Sequence, residues 1–339
     1  MIRTTVRDVL EALDTITGGR LLKGAGDAEG CPNPYVILRT SRIFGKEVTE
    51  TPGLIFGDPD RLVEKIAVVM TLTESAVELA SALGIDALVV HHPVADAASC
   101  GGVTLRDYLG LYNLAVFEIH EALHGLHPGI AFLHGHLPIS TDTCFGGIPG
   151  KVVMVGKPLP DIRCLQDILN KLEAFMGRAQ DIRLLEEERK IYGDPALREV
   201  SAQEGASLLF GHPANDPGLI LHCFPHTGFS VGDLEIATDR HPGVGTVIAS
   251  ISRLRNGHPL IHACRDRGLN LINGNSHALE IWENGLPLAS AVASILSGVE
   301  VSVFRERVTA YPLSAAGTGE LRRYARRIAG SYLLPDERA

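Results

Sequence analysis

Short apolar runs alternate with amphipathic stretches in the first third of the chain. Residues 66–72 and 86–90 are apolar runs of strand length, and residues 73–83 between them place apolar side chains on one helical face, starting at a threonine and followed by a glycine. Residues 105–111 and 114–119 repeat the order of helix and strand. Continuous apolar strands joined by helices predict a parallel sheet that is covered on both faces.

The last third of the chain shows the same alternation. Pro287 lies inside one of its predicted helices, and we expect it to interrupt that helix. The predicted strands cover residues 246–251, 269–272 and 299–304, and the predicted helices cover residues 258–267, a segment from about residue 276, and residues 319–329.

The middle of the chain is less regular. It contains a predicted helix over residues 164–176 and a run rich in His, Pro and Gly over residues 211–226. We therefore expect an α/β fold of two α/β lobes with mostly parallel sheets and a variable middle region. The N-terminal α/β lobe would span residues 1–150, the middle region residues 151–242, and a C-terminal α/β lobe that completes the core residues 243–339.

Composition narrows the classes of function. The 339 residues include 31 Lys and Arg against 40 Asp and Glu, which gives a formal net charge of −9. We expect no nucleic-acid partner and no binding to anionic membranes, because neutralising phosphates requires a basic surface. Arg322, Arg323, Arg326 and Arg327 form a local basic patch, for which a solvated helix face or a subunit contact is the simpler interpretation.

The sequence also favours a cytoplasmic location. Residues 3–16 alternate apolar with charged side chains, which indicates an amphipathic helix and not a signal peptide. No run of about 18 uncharged apolar residues predicts a transmembrane helix. The six cysteines are scattered without a C-x-x-C spacing, as expected for reduced thiols.

Histidines are concentrated where predicted strands end. His91 and His92 follow one strand, His120 follows another, and His277 lies beyond a third. Ligands of open α/β sheets bind outside the carboxyl ends of the strands. Three strand ends that bring imidazoles to one edge predict a metal site, in which Glu280 could bridge two ions.

Other histidines have simpler interpretations. His127, His134 and His136 lie among Gly and Pro residues, so we expect them in loops or at the surface. His120 and His124 would share a helix face only if a helix began directly after the strand. His277 and Glu280 could equally form a surface pair at a helix N-terminus.

Several segments resemble one known family. Residues 66–93 (IAVVMTLTESAVELASALGIDALVVHHP) resemble the NIF-three-like family, named for NGG-interacting factor three, of which many members are labelled GTP cyclohydrolase I type 2 homologs. Residues 115–129 (AVFEIHEALHGLHPG) are similar to its strand and H-T-N-L-D segment, and residues 268–286 (GLNLINGNSHALEIWENGL) to its C-terminal G-H-x-x-T-E segment. The resemblance covers about residues 50–145 and 245–300.

This resemblance implies two α/β lobes that face a central cleft, a toroidal homohexamer and a dinuclear metal centre between the lobes. His91 and His92 match the family's paired ligands, and Glu280 matches its bridging carboxylate. His124 stands where the family has an Asp ligand, and Ser276 stands where it has its last His ligand. Because His277 lies one position further, we expect His277 to replace that ligand. The expected metal ligands are therefore His91, His92, His124, His277 and Glu280.

The exchange of Asp for His124 removes a negative charge. Glu280 is then the only aligned carboxylate unless Glu121 turns inward, so the site would favour metals that prefer nitrogen ligands or would hold a single ion. We expect one or two divalent transition-metal ions per subunit, without distinguishing Zn, Fe, Mn, Co and Ni.

These features predict a metal-dependent hydrolase of a small molecule, in which a metal-activated water attacks a nucleotide or heterocycle. The expected catalytic residues are Glu280, which bridges the ions, and His120 or Glu121, which carry protons. No P-loop or G-x-G-x-x-G motif supports the nucleotide. The alternative is a non-catalytic, metal-binding hexameric ring that serves as a metal reservoir or an interaction platform.

Overall fold

The structure is a computed structural model that describes residues 3–23, 33–40, 47–94 and 103–333. The helices, numbered in chain order, are α1 (Val6–Thr17), α2 (Glu74–Leu83), α3 (Val103–Tyr112), α4 (His120–Leu123), α5 (Gly129–Leu133), α6 (Leu165–Met176), α7 (Arg178–Tyr192), α8 (Val200–Gln203), α9 (Val231–Arg240), α10 (Pro259–Asp266), α11 (Leu286–Ile295) and α12 (Gly319–Ile328). The strands are β1 (Ile37–Thr40), β2 (Glu47–Glu50), β3 (Gly53–Phe56), β4 (Lys65–Val69), β5 (Ala87–Val90), β6 (Ala115–Glu118), β7 (His136–Asp142), β8 (Val153–Pro158), β9 (Arg198–Glu199), β10 (Ser207–Phe210), β11 (Leu219–Cys223), β12 (Val244–Ile251), β13 (Asn270–Ser276), β14 (Glu300–Val303) and β15 (Thr309–Ala310).

Local sequence signals fix the ends of the first two helices. The Thr5 side chain accepts a hydrogen bond from the Asp8 amide at the start of α1, and Thr73 caps α2 in the same way. Gly84 ends α2 in the left-handed conformation that glycine adopts without steric penalty. The predicted N-terminal amphipathic helix and the predicted helix over residues 73–83 are therefore both confirmed.

The first lobe is built on a five-stranded sheet with the strand order β14-β4-β5-β6-β3. Strands β14, β4, β5 and β6 run parallel, and β3 is antiparallel at one edge. Ile66 and Val68 pack against α1 and α11, whereas Ala67 and Val69 pack against α2 and α3. Because neighbouring side chains of a strand point to opposite faces, a continuous apolar strand is buried on both sides.

The second lobe is built on a six-stranded mixed sheet with the order β10-β13-β12-β11-β8-β7. The three central strands β11, β12 and β13 are parallel, and the outer strands are antiparallel. Helices α9 and α10 cover one face, and α6 covers the other. The two α/β lobes predicted from the sequence are thus present.

The chain divides between the lobes differently from the expected segments. Strands β8 and β11 come from residues 151–242 and lie inside the second sheet, so this stretch is not a separate region packed against a core. Strand β14, near the C-terminus, returns to the first sheet and pairs with β4. Short strands between Gly and Pro residues carry a weak periodic signal, which explains the difference.

The segment after β13 also differs from expectation. A 3₁₀ turn (His277–Leu279) and a π-helical turn (Ile281–Gly285) replace the predicted start of an α-helix at residue 276. Pro287 does not interrupt a helix; it lies in the first turn of α11, where its missing N–H is tolerated. This irregular segment carries Glu280 and Glu283.

No helix in the described part of the chain is long and apolar enough to span a bilayer. Helix α12 carries the four-arginine patch and has no buried residue. That exposure agrees with the interpretation as a solvated helix face.

His134, in a turn, and His136, the first residue of β7, were expected in loops or at the surface; both lie in the core, so the surface expectation was wrong for both and the loop expectation was wrong for His136. His134 and His136 are fully buried, as is His222 of β11. His136 Nε2 lies 3.1 Å from His222 Nδ1, and His222 Nε2 lies 2.6 Å from Ser250 Oγ. Burial lowers the pKa of His134 to about 4 and that of His136 to about 3, so both rings are neutral at pH 7.

These buried rings predict a loss of stability in acid. Their folded pKa values lie below the ordinary value of 6.5, so the unfolded chain binds more protons; the stability is complete above pH 6.5 and is lost as the pH falls towards the folded values. Between pH 7 and pH 5 we expect the free energy of unfolding to fall by about 2 kcal/mol per ring. In urea titrations over this pH range, the unfolding free energy of His134→Gln should fall less than that of the wild type, by the amount expected for one ring. An equal fall in both proteins would contradict a lowered pKa for His134.

Candidate metal centre

The carboxyl ends of parallel strands from both lobes converge on one cluster of side chains. His91 and His92 follow β5 directly, and His120 follows β6. Glu280 arrives from the other lobe, just beyond β13. This convergence is the arrangement that strand order and topology produce in open α/β sheets.

Glu280 occupies the centre of the cluster. Its carboxylate is buried, with Oε2 3.1 Å from His92 Nε2 and Oε1 3.7 Å from His91 Nδ1. Oε1 also accepts a hydrogen bond of 3.0 Å from Asn284 Nδ2. Burial opposes ionisation, but His92, His91 and His277 outweigh it and hold the pKa of Glu280 well below its usual range. The centre therefore carries a buried negative charge.

His91 has ring nitrogens that lack protein partners. It is 2% exposed, and neither Nδ1 nor Nε2 has a hydrogen-bond partner in the described part of the chain. Burial lowers its pKa well below 6.5, although Glu280 opposes this effect, so the ring is neutral and offers a lone pair. A buried polar atom without a partner is costly, and coordination of a cation would satisfy it. The donor set of His91, His92 and Glu280 thus fits a transition metal.

His277 completes this first group at its exposed side. Its Nε2 lies 3.3 Å from His92 Nδ1 and 3.9 Å from Glu280 Oε2, and the two imidazole rings stack with centroids 4.7 Å apart. Ser276, at the aligned position, has a buried hydroxyl with no partner among the described residues. The structure therefore brings His277, and not a ring at position 276, beside the predicted ligands.

A second group of potential ligands lies next to the first. Glu50, His120 and Glu121 have ligand atoms within 4.8 Å of one another. His120 Nδ1 lies 2.8 Å from Glu50 Oε2 and 3.7 Å from Glu121 Oε1. His124 Nδ1 lies 3.0 Å from Glu121 Oε2. The two carboxylates are buried, so this group combines anionic and imidazole donors.

The geometry of the second group follows from a helix that begins at once after a strand. Helix α4 starts at His120, and the rings of His120 and His124 lie 4.7 Å apart. Glu121 is buried beside His120 and His124, which is the alternative left open for a second carboxylate in the site. Glu50 was missed by sequence reasoning, since a single Glu at the end of a short strand carries no recognisable signal.

The two groups share one cavity between the lobes, of about 650 Å³. His91 connects them, with its ring 5.6 Å from that of His120 and 5.2 Å from that of His92. Another part of the cavity lining is mainly apolar. It is formed by Ile130, Val152, Met154, Phe224 and Ile251, together with the polar residues His226, Thr227 and Ser252.

The same fold occurs in solved structures. Reduced HcgD from Methanocaldococcus jannaschii gives a TM-score of 0.57 at 13% identity, covering 89% of this chain and 98% of that chain. Protein SA1388 of Staphylococcus aureus gives 0.53 at 13% identity over 88% and 96%. A Bacillus cereus protein related to NIF3 gives 0.53 at 9% identity over 90% and 97%. Identities this low show the fold alone.

A comparison with family models adds a match in the sequence itself. The model of the Duf34/NIF3 (NGG1p interacting factor 3) family matches residues 37–97, the segment that contains β5 and His91-His92-Pro93. No curated protein matches the sequence. The family model and the fold together confirm the resemblance to the NIF-three-like family.

A further buried carboxyl, that of Glu283, lies in the π-helical turn after Glu280. Glu283 is fully buried, its Oε1 accepts a hydrogen bond of 2.7 Å from Asn275 Nδ2, and its Oε2 has no partner in the described part of the chain. Burial raises the pKa of Glu283 to about 8; the hydrogen bond from Asn275 opposes the shift and Glu280 adds to it. Glu283 is therefore protonated at pH 7.

A raised folded pKa predicts the opposite pH dependence from that of the buried histidines. The folded chain binds more protons than the unfolded chain, so this stability is present below pH 4.5 and is lost as the pH rises through about 8. Relative to Glu283→Gln, the wild-type protein without metal should lose about 2 kcal/mol of unfolding free energy between pH 6 and pH 8. If the unfolding free energies of the wild type and Glu283→Gln differed by the same amount at both pH values, the raised pKa would be refuted.

Proposed function

We propose that this protein binds one or two divalent transition-metal ions per subunit and uses them to hydrolyse a small molecule. The observation that carries the proposal is His91, a buried imidazole beside the buried carboxylate of Glu280 whose two ring nitrogens have no hydrogen-bond partner among the described residues. Burying such a pair without a bound partner is energetically costly, whereas a bound cation would satisfy both groups at once.

The donors divide between two positions. His91, His92, His277 and Glu280 would hold one ion, and Glu50, Glu121 and His124 would hold a second, which leaves His120 beside them but outside the ligand set. Imidazole-rich sets with carboxylates suit Zn, Fe, Co and Ni, and the carboxylates also accept Mn. A bound ion would lower the pKa of a water molecule and polarise the group that the water attacks.

The chain's own residues supply orientation and proton transfer. Glu280 fixes the ring of His92 from one side while the Thr71 hydroxyl contacts its Nδ1 at 3.1 Å, so that ring has one orientation. His120 lines the cavity and contacts two carboxylates, Glu50 and Glu121. A proton taken up by His120 would be stabilised by these carboxylates, which suits a proton carrier at the reaction centre.

The cavity favours an enzyme over a metal reservoir. A reservoir needs ligands and access for the ion, but not a space of about 650 Å³ lined in part by apolar side chains. The reservoir or interaction platform remains the second candidate, supported by the number of imidazole donors. We also propose a homohexamer, by family resemblance, and a cytoplasmic location, supported by the free thiols of Cys144, Cys164, Cys223 and Cys264.

Metal content tests the assignment of the ligands. Elemental analysis of untagged protein should give one to two ions per chain for the wild type and about one ion fewer for His91→Ala and Glu280→Gln, because each variant removes a donor from the first group. His262→Ala, on an exposed position of α10, and Glu283→Gln are matched controls that should retain the metal. Equal metal in all five proteins would show that the assignment is wrong.

Turnover separates the two candidate functions. The metal-loaded wild type should hydrolyse at least one member of a panel of esters, lactams, nucleotides and phosphodiesters, and Glu280→Gln should reduce the rate by about a hundredfold or more. Tight stoichiometric binding of metal without turnover of any substrate would favour the reservoir.

A further inference from the structure

Asn284 lies in the irregular turn that follows Glu280. The π-helical turn Ile281–Gly285 begins directly after Glu280, and Asn284 Nδ2 donates a hydrogen bond of 3.0 Å back to Glu280 Oε1. Asn284 is 7% exposed and lines the cavity between the lobes. Single π-helical turns are rare and occur frequently at functional sites. The turn therefore presents a buried amide to a proposed metal ligand.

The two oxygens of Glu280 have different neighbours. Oε2 lies 3.1 Å from His92 Nε2 and 3.9 Å from His277 Nε2. Oε1 lies 3.7 Å from His91 Nδ1 and accepts the amide of Asn284. The three imidazoles can bind a cation themselves, whereas the NH₂ group of a carboxamide is a donor only. Asn284 Nδ2 can therefore act on a bound ion through Glu280 and not as a ligand.

The hydrogen bond fixes the orientation of the amide. An ionised carboxylate accepts hydrogen bonds and cannot donate one, so Asn284 must turn Nδ2, and not Oδ1, towards Glu280 Oε1. Each carboxylate oxygen has two lone pairs, so Oε1 can accept the amide with one and bind a cation with the other. The contact is thus compatible with metal ligation by either oxygen of Glu280.

The contact also limits the rotation of the Glu280 carboxylate. The last torsion of a Glu side chain has broad minima, so packing and hydrogen bonds must set the plane of its carboxylate. A ligand that is held in one orientation before the ion arrives loses less conformational entropy on binding. Hydrogen-bonding partners of metal ligands typically change metal affinity by about 10- to 100-fold.

Another buried asparagine offers a comparison. Asn273 in β13 is 2% exposed and is not among the described residues that line the cavity. Its Nδ2 donates to the Leu254 carbonyl and its Oδ1 accepts the Leu254 N–H, both at 3.0 Å. Asn273 and Asn284 therefore match in residue type and burial. They differ in that Asn273 holds backbone and Asn284 holds a proposed metal ligand.

On the basis of the metal site proposed above, we propose that Asn284 is a positioning residue, which holds the Glu280 carboxylate in the orientation that binds the ion. The π-helical turn is then the element that brings the amide to the carboxylate. Removal of the amide leaves all the donor atoms in place. The loss should therefore appear in the affinity for the metal and not in the number of ions bound at saturation.

Competition with a chromogenic chelator measures the affinity for zinc. Asn284→Leu is nearly isosteric and removes the amide, so it should bind zinc about 10- to 100-fold more weakly than the wild type, with the same number of ions at saturation. Asn284→Ala should lose affinity to a similar degree, which excludes an effect of the leucine itself. Asn273→Leu is the matched control and should stay within about twofold of the wild type, because it does not remove a contact to a proposed ligand. Equal affinities of Asn284→Leu and the wild type, or an equal loss in Asn273→Leu, would overturn the proposal.

The spectrum of bound cobalt separates positioning from a general loss of stability. The visible absorption bands of bound Co²⁺ depend on the arrangement of its ligands. At full loading, Asn284→Leu should change the position or intensity of these bands, whereas Asn273→Leu should give the wild-type spectrum. An unchanged spectrum in Asn284→Leu would show that Glu280 keeps its orientation without the amide, and the positioning role would be refuted.

The outcomes distinguish the role of Asn284 from the proposed function. A wild-type protein that binds neither zinc nor cobalt would overturn both. A wild-type protein that binds them, with affinity and spectrum unchanged in Asn284→Leu, would overturn the role of Asn284 alone. Neither measurement depends on turnover of a substrate.

Discussion

The buried charge of Glu280 is the constraint on which the rest of the site depends. An ionised carboxylate with 2% exposure is strongly destabilising unless charges and hydrogen bonds compensate it. Here the compensation comes from His92 and from the Asn284 amide, and a cation bound beside His91 would complete it. One lobe contributes the imidazoles and the other contributes the carboxylate. Their interaction therefore joins the two lobes beside the cavity in which the chemistry is proposed.

The sheet topology explains why the halves meet. The first sheet carries His91, His92 and His120 at the ends of its central parallel strands, and the second sheet carries Glu280 and Ser252 at the ends of its own. Strand β14, near the C-terminal end of the chain, pairs with β4 in the first sheet. The segment that bears Glu280 therefore connects β13 of the second sheet with β14 of the first sheet. The first lobe contributes most of the candidate metal ligands, and the second lobe contributes most of the apolar cavity lining.

The sequence predicted those residues whose position follows from a strong periodic element. His91 and His92 directly follow a fully apolar strand, so their place at the sheet edge could be inferred. Glu50 and His226 could not be found in this way, because they reach the cavity from a short strand and from a 3₁₀ turn (Pro225–Thr227) through tertiary packing alone. His134 and His136 show the converse, since neighbouring Gly and Pro residues suggested a loop while the packing of the second lobe buries both rings.

The central claim is that imidazole and carboxylate side chains at this junction form a transition-metal site. X-ray absorption spectroscopy of the zinc-loaded protein tests it most directly, because it reports the donor atoms themselves. The account predicts a first shell of nitrogen and oxygen at about 2.0–2.1 Å with the outer-shell scattering of imidazole. A sulfur shell at about 2.3 Å, or an oxygen shell without imidazole scattering, would contradict it.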